Sequence, residues 1–190
     1  MTALRELLLE TKAALARRWF RKILGAYEPA TQLYVTEQAD PFANPIGHAL
    51  TTGTVALVAA VLEASAPETV CAQLEKIIKI RSLQDCLPSQ SVMFTLLLKD
   101  VIREELGDKL QDPVLRSELS EIDAQIDQMT LFAFDIYTKC REQMYELRVN
   151  EVKRSVSGLL RREGLSIDDS TPEPDVSLAR VRPPTRRTGQ

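Results

Sequence analysis

The sequence contains little glycine, few aromatic side chains and a single histidine. Seven glycines occur among 190 residues, and aromatic residues make up 5% of the chain. Scarce glycine together with frequent Leu, Ala, Glu, Lys and Arg favours helix over strand. Because His48 is the only histidine, every mechanism that uses histidine would have to pass through it.

Paired cysteines and a strong charge of one sign are also absent. The formal net charge is -3, whereas nucleic-acid binding usually shows as a strongly basic balance, so no nucleic-acid partner is predicted. The three cysteines, Cys71, Cys86 and Cys140, are an odd number without a CxxC pair. Reduced thiols packed as small hydrophobic side chains are the favoured interpretation. A redox-sensing thiol is the alternative, although the sequence places no resolving cysteine or basic cluster beside any of them.

Long hydrophobic runs are missing as well. The most apolar stretch, residues 55–62, spans eight residues, whereas a membrane helix needs about 20. The first ten residues include Arg5, Glu6 and Glu10, so they lack the apolar core of a signal peptide. We therefore expect a soluble, cytoplasmic protein with no membrane insertion.

Helical periodicity dominates what is present. Apolar residues recur at three- and four-residue spacings, which predicts helices over 1–27, 29–35, 47–64, 67–86, 89–106 and 113–163, with a loop over 36–46. Residues 47–64 are hydrophobic nearly all round, as in a buried helix. The expected fold is all-α: a helical bundle over residues 1–163 whose last helix is long. Residues 164–190 are rich in proline and charge and poor in large hydrophobic residues, which predicts a disordered tail. Its basic end is interpreted as a solvated charge run, with contact to an acidic partner as the alternative.

The long last helix carries two apolar rows. The first follows a heptad pattern through Leu115, Leu119, Ile122, Ile126, Met129, Ala133, Ile136 and Cys140. A second row, on another face, is formed by Tyr145, Val149, Val152, Val156 and Leu159. A helix of about 50 residues would be on the order of 75 Å long, which exceeds a domain of this size. The second row would then be exposed in a monomer, so it predicts a homodimer interface.

Catalytic patterns are not found. The cysteines lack zinc-ligand spacing, no nucleophile elbow surrounds a serine or cysteine, and no Gly-rich phosphate loop occurs. We therefore expect no enzyme activity, no metal and no cofactor. A capping or structural role is the favoured interpretation of His48, with haem or metal ligation as the alternative.

Two polar turn segments are the candidate contact sites for a small polar ligand or a partner. The first contains Asn44 and His48. The second places Arg81, Gln84 and Asp85 at the end of one predicted helix and Ser89 and Gln90 at the start of the next. Helix ends have unpaired backbone groups, so capping between helices is the favoured interpretation of the second segment.

Several short stretches, in order over residues 10–150, resemble one family. They are Trp19 with Ile23-Leu24, the FANPIGH segment at 42–48, IRSLQDCLPSQSVMF at 80–94, Phe134-Asp135, and Tyr137 with Cys140-Arg141-Glu142. Together they resemble the N-terminal domain of the RsbR/RsbRD stressosome regulators. The resemblance implies a globin-like helical domain without haem that dimerises and serves as the variable sensory module of the stressosome.

The resemblance also implies what to expect after the long helix. In RsbR-type proteins this helix leads into a C-terminal STAS domain with phosphorylated threonines, whereas the tail here is far shorter than the ~100 residues of a small domain. Binding a kinase through STAS is therefore not expected. We expect a non-enzymatic module that senses a ligand or docks a regulatory protein as a dimer. A haem- or small-ligand-binding globin-like sensor is the alternative.

Overall fold

A computed structural model describes residues 2–37, 40, 42–83 and 87–162. No strand occurs in this part of the chain, which confirms the all-helical prediction. The predicted tail and the candidate residues Gln84 and Asp85 lie outside the described residues. The helices are α1 (Ala3–Glu10), α2 (Lys12–Leu24), α3 (Pro29–Glu37), α4 (Pro45–Leu62), α5 (Pro67–Ser82), α6 (Pro88–Val92), α7 (Leu97–Leu106) and α8 (Pro113–Arg162).

The chain divides into two units, residues 1–147 and 148–190. The first unit contains α1 to α7 and most of α8, and it holds the hydrophobic core. In the second unit the described part is the remainder of α8, from Arg148 to Arg162. The predicted domain boundary after residue 163 falls outside the described residues and stays a prediction.

Proline and glycine set most helix ends. Proline has a fixed φ and no backbone N–H, so it suits the first position of a helix, where that N–H would have no intrahelical partner. Gly25 follows α2 directly, and Gly107, with a φ of 47°, follows α7. The helices that begin at proline are α3, α4, α5, α6 and α8.

Three predicted helices are shorter or more broken than expected. The predicted helix 1–27 is divided at Thr11, whose φ and ψ of -101° and 7° are not helical. The hydroxyl of Thr11 donates to the carbonyl of Leu8 at 3.3 Å. Such a side-chain hydrogen bond competes with the backbone hydrogen bonds that would continue the helix. The predicted helix 89–106 is interrupted by a 3-10 turn, Met93–Thr95, and the predicted helix 67–86 ends at Ser82.

Helix α4 lies at the centre of the core and packs against α2 and α5. Leu57, Val58 and Val61 are almost completely buried. A Cβ on Gly53 would lie 2.6 Å from Cδ1 of Ile77, so glycine permits the close approach of α4 and α5. By length and composition alone, α4 is long and apolar enough to cross a membrane. The sequence did not predict this, because the uninterrupted apolar run at residues 55–62 is only eight residues long. The position of α4 in the core accounts for its composition, because a buried helix is apolar all round.

The first apolar row of α8 belongs to the core of the first unit. Leu119, Ile122, Ile126, Met129 and Ala133 are each at most 5% exposed. Leu115 and Ile136 are partly buried against the same core. The heptad spacing of this row therefore reflects packing inside one chain rather than an interface between chains.

Helix α1 is tied to this core by Arg5. One guanidinium nitrogen, Nη1, donates to the carbonyls of Val61 and Leu62 at 2.8 Å each. The other, Nη2, donates to Oε1 of Gln125 at 2.9 Å. Since these carbonyls belong to the last turn of α4, the side chain caps α4 while linking α1 to α8.

Candidate functional site

Arg81, in the last turn of α5, lies at the centre of a buried hydrogen-bond cluster. Its side chain is 7% exposed. Nε donates to the carbonyl of Ser91 at 3.0 Å, Nη2 to the carbonyl of Gln90 at 2.9 Å, and Nη1 to the hydroxyl of Tyr27 at 2.7 Å. One guanidinium therefore fastens α6 to the end of α5 and to the segment after α2.

Aromatic rings surround the same guanidinium. Its central carbon lies 5.5 Å from the ring centroid of Tyr27 and 5.4 Å from that of Phe94, within the range of cation–π attraction. Trp19 stacks on Phe94 with centroids 6.0 Å apart, and its indole N–H donates to the Phe94 carbonyl at 2.7 Å. These contacts support the capping interpretation of Arg81, whereas its contact with a ligand stays a prediction.

Asn44 caps α4 from a buried position. Its Oδ1 accepts from the backbone N–H of Gly47 at 2.8 Å, and its Nδ2 donates to the carbonyl of Val35 at 2.9 Å. A Cβ at position 47 would lie 2.2 Å from that Nδ2, so any other residue there would displace the Asn44 side chain. Asn44 thus joins the end of α3 to the start of α4, which is a structural role. His48, one turn into α4, is exposed, and its ring has no hydrogen bond to any described residue.

Ser89 and Gln90 are both exposed in the first turn of α6. The side-chain carbonyl of Gln90 accepts from the backbone N–H of Leu87 at 3.1 Å, which closes the turn at the start of the helix. Of the five candidate residues in this segment, the structure therefore describes Arg81, Ser89 and Gln90, and it brings them together around the junction of α5 and α6.

A groove of about 680 Å³ lies between the start of α6 and the outer face of α8. Leu87, Phe134 and Tyr145 on its walls are 63%, 49% and 53% exposed, so large apolar side chains face solvent here. Gln90 and Tyr145 are the predicted site residues that line it. The remaining lining residues are Pro88, Tyr137, Thr138, Arg141 and Glu142.

Arg141 is the partly buried charge of this groove. Its Nη2 donates to the hydroxyl of Tyr145 at 3.0 Å, and its guanidinium carbon lies 5.2 Å from the Tyr145 ring centroid. Nη1 donates to the carbonyl of Ser82 at 3.3 Å, a long contact with the end of α5. Sequence reasoning missed Phe134 and Arg141 as site residues. The available signal was their three- and four-residue spacing with Thr138 and Tyr145, which puts all four on one helical face.

A second cleft, of about 380 Å³, lies between α5 and α8 and contains two of the three cysteines. Burial raises the pKa of the Cys71 thiol, and the nearby carboxylates of Glu68, Glu75 and Asp135 raise it further. Cys71 is thus kept as a neutral thiol, in agreement with the packed, reduced thiol predicted from sequence.

Cys140 shares this cleft with Lys79 and Lys139. Lys79 forms an ion pair with Glu75 at 2.9 Å, and the pKa of Lys79 is raised mainly by that hydrogen bond. Among the described residues, no group of three or more His, Cys, Asp or Glu side chains could hold a metal ion.

In the second unit, α8 presents an apolar row to solvent. Val149, Val152, Val156 and Leu159 are between 44% and 62% exposed. Tyr145, the fifth residue of the predicted dimer surface, lies in the first unit and lines the groove. The structure therefore leaves the predicted interface residues accessible, and their role in dimerisation stays a prediction.

The chain matches the model of a protein family. The family is described as the RsbT co-antagonist protein rsbRD N-terminal domain, and it matches residues 13–152. No curated protein and no solved structure matches the chain. The matched range covers the Arg81 cluster, the α4 cap and the groove, and it confirms the resemblance identified in the sequence.

Proposed function

We propose, from the premise that the chain belongs to the RsbRD N-terminal domain family, that it is a non-enzymatic regulatory module of the cytoplasm. The family supplies the class of function, a stressosome-type sensory or regulatory domain. Within that class, the chain acts as a homodimer that senses a ligand or docks a regulatory protein partner. The observation that supports the proposed dimer is the exposed apolar row in the last turns of α8.

The row is suited to pairing with a second copy of the same helix. Val149, Val152, Val156 and Leu159 recur at steps of three, four and three, so they lie on one face. Burying such a side chain contributes about 1.5–3 kcal/mol, before the entropic cost of association. Because these side chains are 44–62% exposed in one chain, about half of that gain remains for association. Four residues on each of two chains then contribute about 6–12 kcal/mol, which is comparable to an association cost of about 4–15 kcal/mol.

Static light scattering on the purified protein at tens of micromolar tests this proposal. We expect a dimer for the unchanged chain, and a monomer that keeps its helical circular dichroism when Val152 and Val156 are both replaced by Asp. The control replaces Asn150 and Ser157 by Asp, which adds the same charge to the opposite face of the same turns. This control should remain a dimer. A monomeric unchanged protein, or equal weakening by both double variants, would contradict the proposal.

A haem-binding sensor is the alternative that the single histidine left open. His48 lies in the first turn of α4, exposed, beside a pocket of about 320 Å³ that it shares with Phe20, Asn44 and Thr51. The aromatic residues of the large groove do not line this pocket. The geometry therefore gives less support to haem ligation than to a small ligand in the groove. A Soret band in the absorption spectrum of the purified protein would restore the haem alternative.

A further inference from the structure

A cavity of about 160 Å³ lies where the end of α4 and the start of α5 face α8, and we call it the α4–α5 cavity. Val61, Val70 and Met129 line it from the core side and are each at most 7% exposed. A cavity of about 150 Å³ with comparable apolar walls is large enough to bind benzene. The α4–α5 cavity therefore has room for one aromatic ring.

Two of the lining side chains favour an aromatic ring over an aliphatic chain. The thioether of Met129 makes favourable contacts with aromatic rings, and its unbranched side chain adapts to the shape of a neighbour. Phe132, partly buried, adds a ring to the lining. Rings pair in offset or edge-to-face arrangements that contribute more than the area they bury. An aromatic ligand thus gains contacts here that an aliphatic ligand of equal size lacks.

The rim of the cavity carries hydrogen-bonding groups of Ser65 and Gln125, both half-buried. Oε1 of Gln125 accepts from Arg5 at 2.9 Å. Because a guanidinium has donors only, this contact fixes the orientation of the amide and leaves its Nε2 to donate elsewhere. Neither that Nε2 nor the hydroxyl of Ser65 has a hydrogen bond to a described residue. A ligand carbonyl at the rim can accept from either group.

Charge is missing from the lining. No charged side chain is found among the described residues that line the cavity. Arg5, the cation bonded to Gln125, does not line it and also donates to two carbonyls at the end of α4. An ionised ligand would give up its hydration without gaining an opposite charge, which is costly in an apolar surrounding. The lining therefore selects a neutral molecule.

We propose that the α4–α5 cavity binds a neutral, single-ring aromatic molecule with a carbonyl substituent. The ring lies against Met129 and Phe132, and the carbonyl accepts from Nε2 of Gln125. This inference rests on the proposed sensory function, since it names the chemical class of the ligand. Gln125 also bonds to Arg5, so the ligand acts at the residue through which α1 is linked to α8.

Nuclear magnetic resonance of the full chain, with ¹³C in the methionine methyl groups, tests the site. Benzamide is the probe, and benzoate is the charged compound of the same shape. Among the methionines that the structure describes, Met129 lines the cavity, whereas Met93 and Met144 do not. The ring of bound benzamide should therefore shift the Met129 methyl signal and leave the other two in place. The Met129→Leu variant identifies that signal by its loss.

The expected affinities follow from the size of the probe and the lack of charge in the lining. For so small a ligand we expect a Kd of about 1 mM for benzamide. Benzoate should bind at least about tenfold more weakly, because its carboxylate would be desolvated without a cation. This comparison needs no variant of the protein.

A matched pair of variants tests the position of the site. Ser65→Leu places a larger apolar side chain at the rim and should weaken benzamide binding by about fivefold or more. Thr69→Leu makes a similar change at an exposed position of α5 outside the lining and should leave the affinity unchanged.

A third variant tests the hydrogen bond. Gln125→Met keeps a side chain of similar length but has no donor, so benzamide binding should weaken about fivefold. Binding of toluene, which has no carbonyl, should not weaken in this variant.

Several results would overturn the inference. The site is lost if about 10 mM benzamide leaves the Met129 methyl signal in place, or shifts all methionine methyl signals equally. Equal binding of benzoate would remove the selection for a neutral ligand, and equal weakening by Ser65→Leu and Thr69→Leu would place the ligand elsewhere. A protein that is monomeric by light scattering yet binds benzamide as expected would contradict the proposed dimer and support this site. A dimer that binds no benzamide would contradict this site and leave the proposed dimer standing.

Discussion

Replacing Arg81 by methionine should strongly destabilise the first unit, and this separates a structural role from a ligand-binding one. Methionine keeps much of the apolar stem but has no hydrogen-bond donor. The carbonyls of Gln90 and Ser91 and the hydroxyl of Tyr27 would each lose a donor. Because Ser91 is completely buried, water cannot easily replace the lost donor there.

The expected magnitude follows from these contacts. A hydrogen bond from a charged donor contributes about 1.5–3 kcal/mol, so three of them give about 5–9 kcal/mol. Methionine no longer requires the desolvation of a guanidinium, and this offsets several kcal/mol of the loss. We expect a net loss of about 3 kcal/mol in the free energy of unfolding. For a chain of 150–250 residues this lowers Tm by about 6–12 °C.

Urea unfolding followed by circular dichroism at 222 nm measures this change. Lys76→Met is the matched control, because Lys76 is an exposed cation on the same helix whose amine bonds to Gln73. It should cost no more than about 0.5 kcal/mol. Tyr27→Phe removes a single hydrogen-bond partner of Arg81 and should cost about 1.5–3 kcal/mol. If Arg81→Met costs no more than Lys76→Met, the structural account of Arg81 is refuted and its role as a contact for a ligand gains support.

Three further predictions concern single positions. Gly47→Ala should cost about 1–3 kcal/mol in urea unfolding because its Cβ would collide with Asn44, whereas Gly158→Ala, with open space around its Cβ, should be neutral or stabilise α8 by up to about 1 kcal/mol. His48→Ala should change stability by less than about 0.5 kcal/mol and leave the absorption spectrum unchanged, because the ring is exposed. The raised pKa of Cys71 leaves less thiolate at any given pH than an ordinary thiol has, so its alkylation by iodoacetamide should lag behind that of a small free thiol up to and beyond pH 9.0. A variant in which Cys86 and Cys140 are replaced by serine isolates this reaction. If the alkylation rate of Cys71 reaches half of its maximum at a lower pH than that of the free thiol, the raised pKa is contradicted.

Helix positions were predictable wherever a local residue decides them. Proline at a first helical position and the cap of α4 by Asn44 depend on residues within one turn, so the sequence contains the whole cause. The interruption of α6 and α7 has a different origin. The hydroxyl of Thr95 donates to the carbonyl of Val92 at 2.7 Å and lies 2.8 Å from that of Thr130 on α8. That second contact depends on a residue far along the chain, so the periodicity of residues 89–106 could not indicate it.

The same distinction explains which part of the candidate site was missed. Asn44, Arg81 and Gln90 stood out because they lie in turn segments beside helix ends. The groove arises only when α6 lies against α8, and its walls come from residues about 50 positions apart. Phe134 and Arg141 have the spacing of an ordinary helix face, and spacing does not state whether the next helix covers that face.

The two apolar rows of α8 show that sequence periodicity alone does not reveal which side chains are buried. Both rows recur at three and four residues, so periodicity alone allows either row to be the core and either to pair between chains. In the first row, Ile122 and Ile126 are completely buried among residues of the same chain, and those side chains have no surface left to offer a partner. Any association through α8 must therefore use side chains that the fold leaves exposed, such as Val152 and Val156. Residues buried inside one chain cannot add to the affinity between two, so the buried positions of the heptad row do not contribute to pairing.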